Sequence, residues 1–335
     1  MKTIVETAQP ASYAQAIAFL EQQEVVAFPT ETVYGLGAIA TDEEAVRKIF
    51  AAKARPADNP LIVHIGTIEE VAHYITHVPE KARQCMEAFW PGALTLIMEA
   101  KPNVLAPSVM AGLSTVGLRM PDHDVALTLL RQLGKPVAAP SANRSGKPSP
   151  TEAQHVFEDL AGRIPMVLDG GATGIGVEST VLDMTTDIPT ILRPGGVTKE
   201  MLEAVIGEVF QPTKLQAEAK ETPKAPGMKY THYAPNAPVY LIKPSAVKIQ
   251  EAVQQLQAQG HRVAVLAPDD MVIDAPYIFR FGTTAEQMAV RLYDALRACD
   301  HTDATIILAT TIDEAGVGAA IMNRLEKAAG HQYYR

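Results

Sequence analysis

Cysteine is nearly absent from this chain. Cys85 and Cys299 are the only two in 335 residues. They are too few and too far apart for a disulfide framework or a Cys-rich zinc site, which points to a reducing compartment. Long apolar runs are missing as well, since none approaches the ~20 residues needed to span a bilayer. The opening MKTIVETAQP carries Glu6 and Pro10 and lacks the apolar centre of a signal peptide. The expectation is a cytoplasmic protein with no membrane association. Positive charge is in deficit, with 29 Lys plus Arg against 38 Asp plus Glu and a net charge of −9. That sign argues against a broad basic face for nucleic acid but leaves room for a local basic pocket. There is no G-x-x-x-x-G-K-[ST] phosphate loop, no G-x-S-x-G elbow and no H-E-x-x-H helix. Hydrophobic content of 47% and charged content of 20% fit an ordinary globular protein long enough for about two domains.

Polar groups placed where strands end are what the chain does have. The stretch KARPADNPLIVH sets Lys53 and Arg55 just past an amphipathic helix, with Pro56 and Pro60 keeping the connection non-helical. Leu61–Val63 reads as a buried strand with His64 at its end. Cations at such a bend suit an anionic ligand, phosphate first, although the segment alone fits a solvated pair equally well. Val46, Ile49, Phe50 and Lys53 fall on one helical face, so Lys53 leaves its helix near the core side. Thr41 and Glu44 form the capping box expected to open that helix.

The same pattern recurs along the chain. A strand over 25–28 leads into the loop PTETVYGLG, residues 29–37, with Thr30 and Thr32. Thr115–Arg119 is strand-like, and Arg119 needs an anionic partner if buried or faces water on an edge strand. Val137–Ala139 runs into PSANRSGKPSP, with Ser141, Asn143, Ser145 and Ser149. Ser149 also reads as the N-cap of a helix whose first residue is Pro150 and whose N3 is Glu152. Glu178-Ser179-Thr180-Val181 opens a further strand, and Arg193 heads the turn RPGG.

Residues 208–238 carry almost no aliphatic core and read as a linker. The stretch from Pro226 to Tyr233 clusters aromatic, basic and hydroxyl groups, as a lid over a site would, or a linker patch docked on its own domain. Beyond it strands and helices alternate, which predicts a small three-layer α/β domain with a mainly parallel sheet.

The constellation holds cations, hydroxyls and one histidine, with no nucleophile paired to a base. It suits phosphoryl or nucleotidyl transfer, where positioning and charge carry the chemistry. PTETVYGLG, K-x-R…N-P-L-I-V-H, S-T-V-G-L-R, P-S-A-N-x-S-G and G-V-E-S-T-V, in that order, together resemble the threonylcarbamoyl-AMP synthase family, and P-G-M-K-Y-T-H-Y-A-P with the α/β tail resembles its long two-domain form. The resemblance implies an α/β fold: a YrdC-like twisted mixed sheet with flanking helices over 1–207, a linker or lid over 208–238, and a smaller Rossmann-like three-layer domain over 239–335. It implies that L-threonine, bicarbonate and ATP give threonylcarbamoyl-AMP and pyrophosphate. The product then goes to a tRNA threonylcarbamoyl transferase that modifies tRNAs reading codons that begin with A.

In such enzymes Thr32, His64, Arg119, Ala139 (through its backbone) and Ser179 would surround threonine. Arg55, Asn59, Thr115, Ser141, Ser149, Arg193 and Tyr233 would contact ATP. Lys53 is added on charge grounds, so that Lys53 and Arg55, with Mg²⁺ accompanying ATP, would offset charge on the leaving pyrophosphate. Metal ligands and direct tRNA contact are not readable from the residues. Two other readings stand beside this one, a non-catalytic RNA-binding module and a carbamoyl transferase of metal-centre assembly.

Overall fold

The computed structural model describes residues 1–212 and 233–334. Most of the expected linker, including residues 226–232 of the expected lid, lies outside the described residues. The chain divides into two compact units. The first holds 1–145, 150–174 and the described residues from 178 to 212. The second holds 233–334 together with the short stretches Gly146–Ser149 and Ile175–Val177. No helix among the described residues is long and apolar enough to cross a membrane.

Ten strands of the first unit form one mixed sheet: β1 (Ile4–Thr7), β2 (Val26–Phe28), β3 (Gly35–Ile39), β4 (Ile62–His64), β5 (Leu94–Glu99), β6 (Thr115–Arg119), β7 (Val137–Ala138), β8 (Met166–Asp169), β9 (Thr180–Asp183) and β10 (Thr190–Arg193). Their order is β1-β8-β2-β3-β7-β4-β6-β5-β9-β10. β4 and β6 run parallel and meet β7 and β5 antiparallel. Alternation along β6 sends Val116 and Leu118 into the main core, with Val63, Leu94, Leu96 and Leu182. Its other face carries Thr115, Gly117 and Arg119, and the apolar floor there is only a small cluster of Ile62, Ile97 and Val181. One sheet face builds the core and the other is left for polar side chains.

The amphipathic face read from the sequence holds: the helix Glu43–Lys53 buries Val46, Ile49, Phe50 and Lys53. Its cap is Asp42, not Thr41, because the Asp42 carboxylate accepts from the Glu44 and Ala45 amides. The helix expected from Ser149 begins at Ala153 instead. The carbonyls of Pro150 and Thr151 are taken by the Tyr34 and Thr173 amides, so that backbone is committed to distant partners before a helix can start. The second half of PTETVYGLG is not loop but strand β3, antiparallel to β2. Two glycines weaken the strand signal there. Packing explains one of them: a Cβ on Gly37 would stand 2.7 Å from both Phe28 and Val137.

The second unit has four parallel strands, β11 (Val239–Ile242), β12 (Val263–Ala267), β13 (Tyr277–Arg280) and β14 (Ile306–Thr310), in the order β11-β14-β12-β13. The helix Ala246–Ala258 covers the face bearing Val263, Val265 and Leu308. Helices Ala285–Asp300 and Gly318–Ala328 pack on each other and on the sheet. The capping box of the longer helix is Thr284 with Gln287.

Replacing Gly37 by Ala forces Phe28 or Val137 to shift. Thermal or denaturant unfolding of the variant is expected to show a loss of about 1–3 kcal/mol, with the same fold by circular dichroism.

Candidate active site

The open face of the sheet in the first unit is built around β6. Arg119, 4% exposed, ends this strand and lies beside His64 in the β4 register. Leu96 sits opposite Leu118, which brings Thr95 of β5 level with Arg119. The Arg119 guanidinium donates from Nη2 to Thr32 Oγ1 at 3.0 Å and from Nε to the Gly92 carbonyl at 3.3 Å. It also forms an ion pair with Glu31 Oε2 at 2.7 Å. Thr32 is wholly buried, and its hydroxyl is fixed by Thr30 Oγ1 at 2.8 Å. The loop after β2 is thus folded onto the sheet face by a cation.

Segment 92–95 links this cluster to Ser179. The Ala93 carbonyl accepts from the Thr180 amide, and Thr95 Oγ1 lies 2.8 Å from Ser179 Oγ. Arg193, also buried, donates to the Ser179 carbonyl from Nε at 3.2 Å and from Nη2 at 2.9 Å, and to Ser179 Oγ at 3.2 Å. This reach needs the turn RPGG to lie against the chain, since a Cβ on Gly195 would run into the backbone of residues 178–180. Thr32, His64, Arg119, Ser179 and Arg193, scattered through the sequence, therefore share one neighbourhood.

Thr115 stands at the opposite end of β6, with Gly117 between, so the strand's open face is low in the middle and polar at both ends. Asn59 is buried at the entry to β4, and its Oδ1 has no hydrogen-bond partner among the described residues. Arg55 Nη2 donates to the carbonyls of Asn59 and Pro60, at 3.3 and 3.4 Å. The Ala139 amide is bound to the Ile62 carbonyl, so its own carbonyl is the backbone group left to meet a ligand. Ser141 Oγ donates to Asn143 Oδ1.

Lys53 was expected against a triphosphate. The structure sets its ammonium on the backbone carbonyls of Ser141 and Asn143, where it holds the PSAN loop. Burial at 2% exposure makes these carbonyls the compensation for its charge.

Ser149 and Tyr233 belong to the second unit. There Ser149 is fully buried. Tyr233 packs on Tyr293 with ring centroids 5.4 Å apart, and the Arg324 guanidinium lies 5.7 Å from its ring centre. Sequence reasoning passed over Glu31 and Thr95. Glu31 alone carried a signal, an acid between two threonines on a loop that follows a buried strand.

His64 is held neutral. Burial first, and then the Arg119 charge, push its pKa from 6.5 down to about 3. Its Nδ1 is buried without a partner among the described residues, as are both Glu31 carboxylate oxygens. For Glu31 the ion pair is short but outside hydrogen-bond geometry, so distance and bonding differ. We take the contact as a charge pair that leaves both oxygens without a donor. Partnerless buried atoms on Glu31, Asn59 and His64 mark where a ligand would bond.

The family model described as "Telomere recombination" matches residues 18–195, and that of the threonylcarbamoyl-AMP synthase C-terminal domain matches 197–330. The threonylcarbamoyl-AMP synthase of Bacillus subtilis is 55% identical over 326 residues, covering 96% of this chain and 94% of that protein. This chain belongs to the threonylcarbamoyl-AMP synthase family. The synthase of Pyrococcus abyssi is 47% identical, covering 95% of this chain and 94% of that protein. A crystal structure of P. abyssi Sua5 complexed with L-threonine superposes with a TM-score of 0.93 at 45% identity, covering 99% of this chain and 98% of that one. The protein is accordingly an enzyme of the nucleotidyltransferase type, with the two-domain architecture of its relatives. The reading as a non-catalytic RNA-binding module gives way to this.

The His64 shift has a consequence for stability. The unfolded imidazole takes up its proton near 6.5 and the folded one only near 3, so between those values the unfolded chain binds more protons. Stability is therefore expected to fall as pH drops through that window. Denaturant unfolding at pH 7 and pH 4.5 checks this, with His64→Asn showing the smaller loss between the two.

Proposed function

We propose that this enzyme condenses L-threonine, bicarbonate and ATP to L-threonylcarbamoyl-AMP with release of pyrophosphate, and that the product serves a separate transferase modifying tRNAs that read codons beginning with A. The observation that carries this reading is the polar face of β6, with Arg119, His64 and Thr32 at one end, Thr115 at the other and Gly117 between. It fits a small amino acid beside a nucleotide. The relatives' shared name supports it, as does the P. abyssi protein's complex with L-threonine.

In this reading Arg119 pairs with the threonine carboxylate, since a guanidinium matches a carboxylate fork to fork. Thr32, Ser179 and the neutral His64 imidazole meet the substrate hydroxyl, and leaving such buried groups unpaired disfavours analogues without one. The Ala139 carbonyl completes that side. The threonine α-ammonium gives up a proton to solvent, and the freed amine attacks the bicarbonate carbon with loss of water, giving a carbamate. A carbamate oxygen then attacks the α-phosphorus and pyrophosphate departs.

Arg55, Asn59, Thr115, Ser141 and Arg193 hold the nucleotide. Lys53 shapes this side through the Ser141 and Asn143 carbonyls. Mg²⁺ enters with ATP as part of the substrate and offsets phosphate charge.

The test is pyrophosphate release from ATP by the purified protein, with threonine or bicarbonate omitted in turn. Release that needs both is expected, and release indifferent to threonine would overturn the proposal. Arg119→Ala should raise the threonine concentration for half-maximal rate by about tenfold or more.

A further inference from the structure

We infer that Glu31 is the seat of the substrate's α-ammonium group, forming with Arg119 a paired clamp for a zwitterion. This rests on the reading of the site as one for a free amino acid, and it adds a residue which that reading does not use.

Glu31 lies on the loop between β2 and β3, 9% exposed, with Thr30 and Thr32 buried on either side. A buried carboxylate ordinarily collects hydrogen-bond donors. Glu31 has none among the described residues: neither oxygen accepts a hydrogen bond, and its one strong interaction is the 2.7 Å ion pair with Arg119 Nη2. Arg119 itself directs Nη2 to Thr32 and Nε to Gly92, which leaves Nη1 without a protein partner among the described residues.

The two charges in contact at this point are one cation and one anion, Arg119 and Glu31, side by side. His64 adds none, being buried and neutral. His123, the other imidazole that feels Glu31, is held below its ordinary value by burial and accepts from the Val125 amide through Nδ1. Opposite charges placed side by side complement a ligand that carries both signs on neighbouring groups. An α-amino acid bears its carboxylate and its ammonium on the same carbon, so their partners must be neighbours. Arg119 Nη1 offers donors to the carboxylate. Glu31 offers two empty acceptors to an ammonium with three donors. A ligand with a carboxylate alone would add a second negative charge beside Glu31 and leave its oxygens still unbonded.

The consequence is selectivity. The enzyme should distinguish L-threonine from its 2-hydroxy analogue, (2S,3R)-2,3-dihydroxybutanoate, in which a hydroxyl replaces the ammonium and all else is kept. The experiment is calorimetric titration of the full chain, wild type and Glu31→Gln, with each of the two ligands. Gln keeps the side chain's size and removes its charge.

Wild type should bind threonine at least about tenfold more tightly than the hydroxy acid. Glu31→Gln should lose that margin by weakening for threonine while holding the hydroxy acid as well as before or better. A variant that binds threonine as tightly as wild type, or more tightly, overturns the inference and makes Glu31 a stand-in for the substrate carboxylate on Arg119. Equal loss of both ligands also overturns it, in favour of a purely structural role. Failure of the wild type to bind threonine would instead sink the proposed function itself.

Discussion

Arg119 is a charged group almost out of reach of water, and the catalytic unit is arranged to compensate it. Removing one partner from a buried ion pair typically costs about 3–5 kcal/mol, because the survivor is left uncompensated. Glu31, Thr32 and the Gly92 carbonyl supply the compensation from two separate segments. Each is thereby held in place: the loop after β2 is drawn onto the sheet face, and segment 92–95 is held against the end of β6. The same segment reaches Ser179 through Thr95, and Ser179 is in turn gripped by Arg193. One guanidinium thus organises groups that are far apart in the chain.

The sheet makes this possible by giving its two faces different work. Val116 and Leu118 anchor β6 in the core, and period-two alternation then obliges Thr115, Gly117 and Arg119 to share the opposite face. Gly117 keeps the middle low. A Cβ there would stand 3.0 Å from the Thr95 methyl, and a larger side chain would fill the space between the two polar ends. Lys53 does a comparable service from below, since its ammonium ties down the carbonyls of the PSAN loop after its helix has buried it. A cation that reads as a phosphate ligand in sequence also braces the residues of that loop.

The second unit follows simpler rules. Its two central parallel strands, β12 and β14, are buried along their whole length and read as continuous apolar runs. Its helix ends carry Ser245 and Thr284 as caps. Tyr233, the first residue described after 212, is held there by Tyr293 and Arg324. An aromatic ring under a guanidinium and against a second ring is a firm attachment for the end of a segment otherwise poor in apolar anchors.

Local pattern alone determined a good deal. The buried face of the helix ending at Lys53, the strand Thr115–Arg119, and the parallel α/β tail follow from periodicity and chain chemistry that neighbours do not alter. Tertiary structure decided the rest. β3 is a strand although its glycines argue against one, because only glycine fits at Gly37 beside Phe28 and Val137. The helix after Ser149 starts late because distant amides claim its first carbonyls. Whether Arg119 faced water or an acid, and which backbone groups Lys53 would reach, depended on contacts spanning 87 and 88 residues, as with Thr32 and Ser141. Such pairings leave no periodic trace along a chain, since they are set by which strands lie side by side and not by the spacing of residues within them.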